Sequence, residues 1–409
     1  MSGPLSGFRV VDLTSVVFGP LATQILGDMG ADIIKVEGPE GDTTRYTGPA
    51  RSRDMAALFM GMNRNKRSVV LDVKKQGAKD ALWKLIESAD VFIHSMRPQK
   101  IAALGFSPEA VLKRCPRVVY AGLHGYLNGG PYSGRPAYDD VIQGQAGIAS
   151  LMTGVAGEPR YVPLIIADKT CALAASNAIT AALLARERTG RGQFVEIPMF
   201  ETMAFFILAE HLYGHTFVPP EAPLGYSRLL APWRRPYRTK DGHICMLAYT
   251  DPQWQKFWET VGKPELQQDL RFVNLAKRSQ NIAELYRIAG ESLLGKTTDE
   301  WLGIFQDLDI PCARIASLDE VFNDPHLAAV GLFQKATHPT EGEIVMTQLP
   351  LRFSDTKVSI DRMQPKFGEH SAEILREVGY SDGDVRALFE SGCAIEGAAA
   401  PEKQSKTGP

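Results

Sequence analysis

The chain of 409 residues lacks the marks of several protein classes. Its five cysteines, Cys115, Cys171, Cys245, Cys312 and Cys393, are odd in number, widely spaced and form no CxxC. That argues against a disulfide framework or a structural zinc site and leaves buried, inert thiols as the default reading. The eight histidines show no HExxH or other metal-ligand spacing, so no metal is expected. No apolar run reaches the ~18 residues of a transmembrane helix. The opening MSGPLSGFRVVDLTS lacks the regions of a secretory signal, and a cytoplasmic location is the expectation. Charge of one sign is also missing: 45 Lys and Arg face 47 Asp and Glu. A formal net charge of −2 argues against a nucleic-acid binder that works by phosphate neutralisation. No internal repeat is present.

What remains is an ordinary globular composition, 44% hydrophobic and 22% charged, with strands and helices alternating over the first ~200 residues. FRVVDLTS reads as a strand, GPLATQILGDMG as a helix with Pro20 in its first turn and Gly30 at its stop, and ADIIKVE as the next strand. That βαβ unit favours parallel pairing. The pattern continues through RSVVLDV, GAKDALWKLIESA, DVFIHSM, PQKIAALG, SPEAVLKRC and RVVYAGL, then a Gly/Pro-rich loop, DDVIQGQAGIASLM, a long helix after Asp168 and the strand QFVEIPM. An α/β fold with a doubly wound, mostly parallel sheet is predicted. Near residue 215 the texture turns rich in Pro and Arg. A smaller α/β block follows, with HICMLAY and IPCARIAS as strands and three helical segments between them. The expected domains are 1–215, a linker and small domain over 216–330, a C-terminal part over 331–395 and a disordered tail over 396–409.

Asp168 stands where the apolar YVPLIIA gives way to a long run of small residues. As a helix N-cap it would accept a backbone N–H. The positive helix end would also favour its ionised form, and an ionised carboxylate against apolar walls is a competent nucleophile. Two motifs point elsewhere. GESLLGKT, residues 290–297, matches GxxxxGK[ST], but a helical pattern precedes it where a phosphate loop needs a strand; Thr297 or Thr298 is expected to start the next helix. Glu37 ends the second strand, where a ribose-binding acid would sit, yet TSVVFGPLATQ has no GxGxxG, which disfavours hydride transfer and leaves Glu37 structural or in contact with another ligand. Asp139 or Asp140 is expected to cap the helix that follows. Arg45, Arg51, Arg53, Arg228, Arg234 and Arg235 read as solvated surface, with a carboxylate-binding guanidinium fork as the alternative.

Five stretches in order resemble the family III CoA-transferases, the formyl-CoA and carnitine CoA-transferase (CaiB/BaiF-like) group: PLSGFRVVDLTSVVFGPLATQILGDMGADIIKVEGPEGDTTR, NRNKRSVVLDVK, ADVFIHSMRPQKIAALGF, PYSGRPAYDDVIQGQAG and LLARERTGRGQFVEIPM. The resemblance runs from about residue 4 to about 385. It implies a Rossmann-like large domain made from both chain ends, a smaller domain between them, and an interlocked homodimer. It implies no tightly bound cofactor and acyl-CoA as substrate, beside the absence of a membrane or nucleic-acid partner expected from composition. It implies Asp168 as a nucleophile that is acylated and then carries CoA as a thioester. It implies coenzyme contacts at Val17 and Phe18, at Leu71, Asp72, Val73 and Lys74, at Ser95, Met96 and Arg97, at Arg135 to Tyr138, and at Met199. Where a member of that family has Gln, Arg, Asn and Arg, this chain has Val17, Gly38, Ser95 and Ala103. Lys74, Arg97 or Lys100 is left to compensate for the lost arginines, and the lost Gln and Asn imply a different acyl substrate. The glycine-rich small-domain loop of the formyl-CoA enzymes is absent too, which disfavours oxalate.

Two rival readings stand beside it. An α-methylacyl-CoA racemase needs two acid–base groups on opposite faces of the α-carbon. Its histidine position is Tyr138 here, and a phenol of pKa ~10 is a poor substitute; His124 is the remaining candidate. The other rival is a non-catalytic acyl-CoA or nucleotide binder. Succinyl-CoA as donor, a dicarboxylate or aromatic acid as acceptor, and an acceptor pocket shaped by FVPPEAPLGYSRLLAPWRRP are what the resemblance suggests.

Overall fold

The computed structural model describes residues 3–397, so most of the expected 396–409 tail lies outside the described residues. The chain divides into two compact units. One takes Met1–Ala146, Val162–Phe205 and Ala328–Pro409; the other takes Gly147–Tyr161 and Phe206–Leu327.

The first unit is built on strands β1 (Arg9–Leu13), β2 (Asp32–Glu37), β3 (Lys66–Leu71), β4 (Val91–His94), β5 (Val119–His124) and β6 (Phe194–Pro198). They are all parallel, in the order β3-β2-β1-β4-β5-β6, and Ala394–Ile395 adds an antiparallel strand to the free edge of β3. β3, β4 and β5 are buried along their whole length, as strands covered on both faces must be. On one face Val11, Ile34, Val69 and Phe92 pack with Leu82 and Leu85 of helix Gln76–Glu87 and with Ile374 and Leu375 of the C-terminal helix Ser371–Glu377. Each such aliphatic side chain contributes about 1.5–3 kcal/mol relative to exposure. Chain order reverses between β1 and β4, and in open parallel sheets ligands settle at the carboxyl ends of strands beside such a reversal.

Helix α1 (Phe18–Asp28) has Pro20 in its first turn, where no intrahelical N–H is needed, and Gly30 follows its end at φ 100°. Gly19 is required by contact: a Cβ there would lie 2.3 Å from Cβ of Thr14, so only glycine lets α1 start this close to the end of β1. Three further helices of this unit matter below: α2 (Asp139–Gln145), α3 (Ile166–Thr189) and α4 (Met199–His211), the first two within it and the third beginning in it. Helix α4 and the hairpin strand Phe333–His338 have no counterpart in the sequence reading. α4 is apolar nearly throughout and carries little 3.6-residue periodicity to read.

The second unit has a three-stranded antiparallel sheet, Tyr237–Arg238, His243–Met246 and Cys312–Arg314. Its core is aromatic: Trp254, Phe257, Trp258, Trp301 and Phe305 are all buried, and the Trp301 and Phe305 rings stack 5.2 Å apart. GESLLGKT behaves as its context requires. Gly290 to Ser292 close helix Ile282–Ser292, and Thr297 caps helix Thr298–Asp307 in a capping box with Glu300. No helix among the described residues is long and apolar enough to cross a membrane.

Candidate active site

The carboxyl ends of β1, β4, β5 and β6 surround a cavity of about 330 Å³ within the first unit. Asp168 lines it, 8% exposed. Contrary to the N-cap reading, Asp168 is the third residue of α3, and Ile165 holds the cap position without a side-chain bond. The capping acceptor comes from another helix. Oδ1 of Asp139, the first residue of α2, accepts the amides of Ala167 (2.7 Å) and Asp168 (3.1 Å). Neither Asp139 nor Asp140 is the cap of α2; Tyr138 occupies that position. Asp139 is itself held by Gln143 one turn on, whose Nε2 donates to Oδ2 (2.6 Å) and to the Leu164 carbonyl while its Oε1 accepts the Val162 amide. Asp139 and Gln143 thus tie down the strand of chain leading into α3 and satisfy its first amides, which frees the Asp168 carboxylate from that task.

That freedom changes its ionisation. Burial, and then the negative charge of Asp139, push the Asp168 carboxyl up to about 7. The helix end alone would favour the anion, but its amides are already spent on Asp139, which returns a like charge to the site. Where the helix end is expected to favour the ionised form, burial and Asp139 oppose it. One turn away, the Cys171 thiol is pushed up to about 12 by burial, Asp168 and Asp139, and is inert as expected. Cys245, by contrast, is exposed.

The β1–α1 turn forms the opposite wall. Val16 has φ 72°, a conformation that a β-branched residue adopts only when its surroundings impose it. Its amide donates to Asp42 Oδ1 (3.2 Å), that of Ser15 to the Ser95 hydroxyl (3.2 Å), and that of Thr14 to Asp12 Oδ1 (2.9 Å). Beneath it, Lys35 pairs with Asp42 at 2.9 Å and Lys66 with Asp12 at 3.2 Å, all four buried. Burial pushes the Lys66 ammonium down to about 8; burial alone would raise Asp12, but Lys66 and Lys35 hold it below the usual carboxylate range. Glu37 is structural: it grips Arg45 through two bonds of 2.8 and 2.7 Å and accepts the Ser68 hydroxyl. Arg45 is no surface residue. It is fully buried with its guanidinium 3.8 Å above the Phe59 ring.

Of the residues named from the resemblance, Val17, Phe18, Ser95 and Arg97 line the same cavity as Asp168, and so do Arg135, Tyr138 and Met199. Tyr138 is 66% exposed, and Arg135 lies 4.6 Å over the Tyr132 ring. Leu71 is instead in the hydrophobic core at the end of β3, and Asp72, Val73 and Lys74 form the turn after it, outside this cavity. Met96 also packs against the core. Lys100 lines the cavity, which therefore carries three cations with Arg97 and Arg135. The sequence reading missed Val16 and the capping role of Asp139; the only signal for the latter was the Asp139–Gln143 spacing of one helical turn. His124 lines the cavity too, its Nδ1 2.7 Å from Glu196 Oε1 and its Nε2 without a hydrogen-bond partner among the described residues.

Residues 5–371 match the model of CoA-transferase family III. The succinyl-CoA:glutarate CoA-transferase of Mus musculus is 32% identical over 394 residues, covering 95% of this chain and 90% of that protein. A probable fatty acyl-CoA transferase of Mycobacterium tuberculosis is also 32% identical, over 91% of this chain and 97% of its own length. The orthorhombic crystal structure of that mycobacterial protein has a TM-score of 0.80, covering 91% of this chain and 99% of that one. A CaiB/BaiF family protein of Brucella suis has a TM-score of 0.76 at 30% identity, over 92% of this chain and all of that one. The chain belongs to CoA-transferase family III and is a CoA-transferase.

Proposed function

We propose that this enzyme moves CoA from an acyl-CoA, with succinyl-CoA as the donor, to a carboxylic acid by way of covalent intermediates on Asp168. The carboxylate attacks the thioester carbonyl, expels CoA thiolate and forms a mixed anhydride. The thiolate attacks the aspartyl carbonyl, releases the donor acid and leaves an aspartyl-CoA thioester. The acceptor carboxylate then attacks that thioester, expels the thiolate and forms a second anhydride. Thiolate attack on the acceptor's carbonyl yields the new acyl-CoA and restores Asp168. The observation that carries this is the Asp168 carboxylate itself, in the cavity and free of hydrogen bonds among the described residues because Asp139 caps its helix. Burial keeps water from the anhydride, and Arg97, Lys100 and Arg135 suit the phosphates and carboxylates of the substrates.

The same reading gives Val17, Phe18, Asp72 to Lys74, Ser95 to Arg97, Arg135 to Tyr138 and Met199 to the coenzyme; Leu71, with none of its surface exposed, is not among them. It takes the large domain as Rossmann-like and made from both chain ends, and the protein as an interlocked homodimer. Phe205 at 80% exposure and Val218 at 97% are apolar surfaces that a second copy would cover. The test is chemical trapping. Hydroxylamine added with succinyl-CoA should convert Asp168 to a hydroxamate visible by peptide mass spectrometry, and an unmodified Asp168 under turnover would end the covalent reading. The racemase rival draws support from His124 beside Asp168 in one cavity; deuterium uptake at the α-carbon without movement of CoA would establish it instead.

A further inference from the structure

Between β5 and α2 the chain runs through residues 125–138 without helix or strand, and the far end of this loop supplies Gly134 to Tyr138 to the wall of the Asp168 cavity. The two ends of the loop touch. A Cβ at Gly125 would lie 2.4 Å from Cβ of Ala137, so only glycine lets the loop close on itself. Its cation, Arg135, makes no ion pair among the described residues and rests on the Tyr132 ring. Such a guanidinium keeps its donors for a ligand, but it meets one well only if the loop beneath it is held still.

The hold comes from β6 and the first turn of α4. The Leu127 amide donates to both carboxylate oxygens of Glu201, 3.2 Å from each. The next amide, that of Asn128, donates to Glu196 Oε1 at 2.9 Å, the same oxygen that meets Nδ1 of His124. The Phe200 amide donates to the Gly125 carbonyl at 3.0 Å. The Tyr132 ring that carries Arg135 packs edge-on against Tyr126 and Phe200, with centroids 5.5 and 6.2 Å away. Across the tip, the Ser133 hydroxyl donates to Asn128 Oδ1 at 2.7 Å, which links the pinned side of the loop to the side that faces the cavity. Water could satisfy amides this exposed. Carboxylates on two successive amides instead give the loop charge-assisted bonds, about twice as strong as neutral ones.

We propose that Glu196 and Glu201 are positioning residues for the coenzyme: their carboxylates pin Leu127 and Asn128, and with Tyr132 they set the loop so that the Arg135 guanidinium stands where the CoA phosphates bind. This rests on the reading that gives Arg135 to the coenzyme.

The test uses the full chain. Titration calorimetry with CoA itself reads binding without turnover, and steady-state rates with succinyl-CoA read KM and kcat. Arg135→Gln should weaken CoA by about tenfold or more, as loss of a hydrogen bond to a charged group does. Glu201→Ala should weaken it by about fivefold at a little-changed melting temperature, and Glu201→Gln, which keeps an oxygen for the Leu127 amide, should recover most of that. Glu196→Ala should act in the same direction. With Arg135→Gln already in place, Glu201→Ala should cost less than about twofold more, because both act through one contact. In turnover the single variants should raise KM for succinyl-CoA and leave kcat within about threefold. Parent-like CoA binding in Glu201→Ala would overturn the proposal, as would a loss fully additive with that of Arg135→Gln. A lowered melting temperature with CoA affinity intact would make Glu201 merely structural and overturn it too. CoA binding untouched by Arg135→Gln would withdraw Arg135 from the coenzyme and the proposal with it, so failure of the underlying reading is told apart from failure of the positioning role.

Discussion

Two regions of the first unit bury carboxylates to a similar depth and treat them in opposite ways. Beneath β1 to β3, Glu37 lies against Arg45 and Asp12 against Lys66, and both acids are held below the usual carboxylate range although burial opposes it. At the start of α3, Asp168 makes no ion pair among the described residues and faces the charge of a second carboxylate, and its carboxyl rises to about 7. Burial alone therefore does not set the chemistry of an acid. A buried acid with a cation becomes a strut that fixes the fold, and one without a cation keeps its lone pairs for a substrate. The struts still serve the site, because Asp12 and Asp42 hold the amides of the strained turn that walls the cavity.

The comparison breaks first at Asp168. Asp168→Ala should lower CoA transfer by about three orders of magnitude or more, the scale reached when a covalent nucleophile is removed. Glu37→Gln should leave turnover per folded molecule within a few fold. Steady-state rates on matched folded fractions would show it, and comparable losses at both positions would erase the distinction. The converse holds for stability. Arg45→Ala strands the Glu37 carboxylate in the core and should cost about 3–5 kcal/mol in urea unfolding. A loss below ~1 kcal/mol would mean that Glu37 is not the cation-dependent strut described here.

This contrast explains what could be read from the sequence. The strands of the parallel sheet declare themselves as Val/Ile runs bounded by turns, and RVVDL, DIIKVE and VVYAGL fold as their patterns predict. Asp168 was visible because an acid interrupts an apolar stretch. Arg45 was misplaced because a lone arginine in a loop looks the same whether it meets water or Glu37, eight residues back on another element. Asp139 was assigned to its own helix because capping rules are local, whereas its real partners lie 28 and 29 residues on. Pairings across the fold leave no periodicity, and they decide the charge state of the site.

A carboxyl raised in this way should cost stability when it ionises. The folded Asp168 carboxyl titrates at about 7 against 3.8 ordinarily. Below pH ~4 the acid is protonated in both the folded and the unfolded chain and has no effect. Between the two values the unfolded chain loses its proton first, so stability falls as pH rises and the loss is complete above pH ~7. Asp168→Asn removes the titration. Its melting temperature should match the parent's near pH 4 and exceed it at pH 8, by several degrees for a difference of up to ~4 kcal/mol. A gap that shrinks as pH rises would contradict the raised value.

The smallest effect isolates the second carboxylate. Asp139→Asn keeps an oxygen to accept the amides of Ala167 and Asp168 while removing the charge that faces Asp168. Gln143 Nε2 loses its anionic acceptor, so a modest loss of stability accompanies the change. On the proposed mechanism Asp168 attacks the thioester as its anion, so kcat/KM should climb with pH and level off above about 7 in the parent enzyme. Without the charge of Asp139 the anion is favoured, and the acidic limb should move down by up to about one pH unit. Activity at pH 6 should then rise relative to activity at pH 8, although the variant is slightly less stable at both. A merely structural role for Asp139 would lower the whole profile and leave its midpoint in place. A limb displaced upward would mean that the cap, and not the charge, sets the ionisation of Asp168.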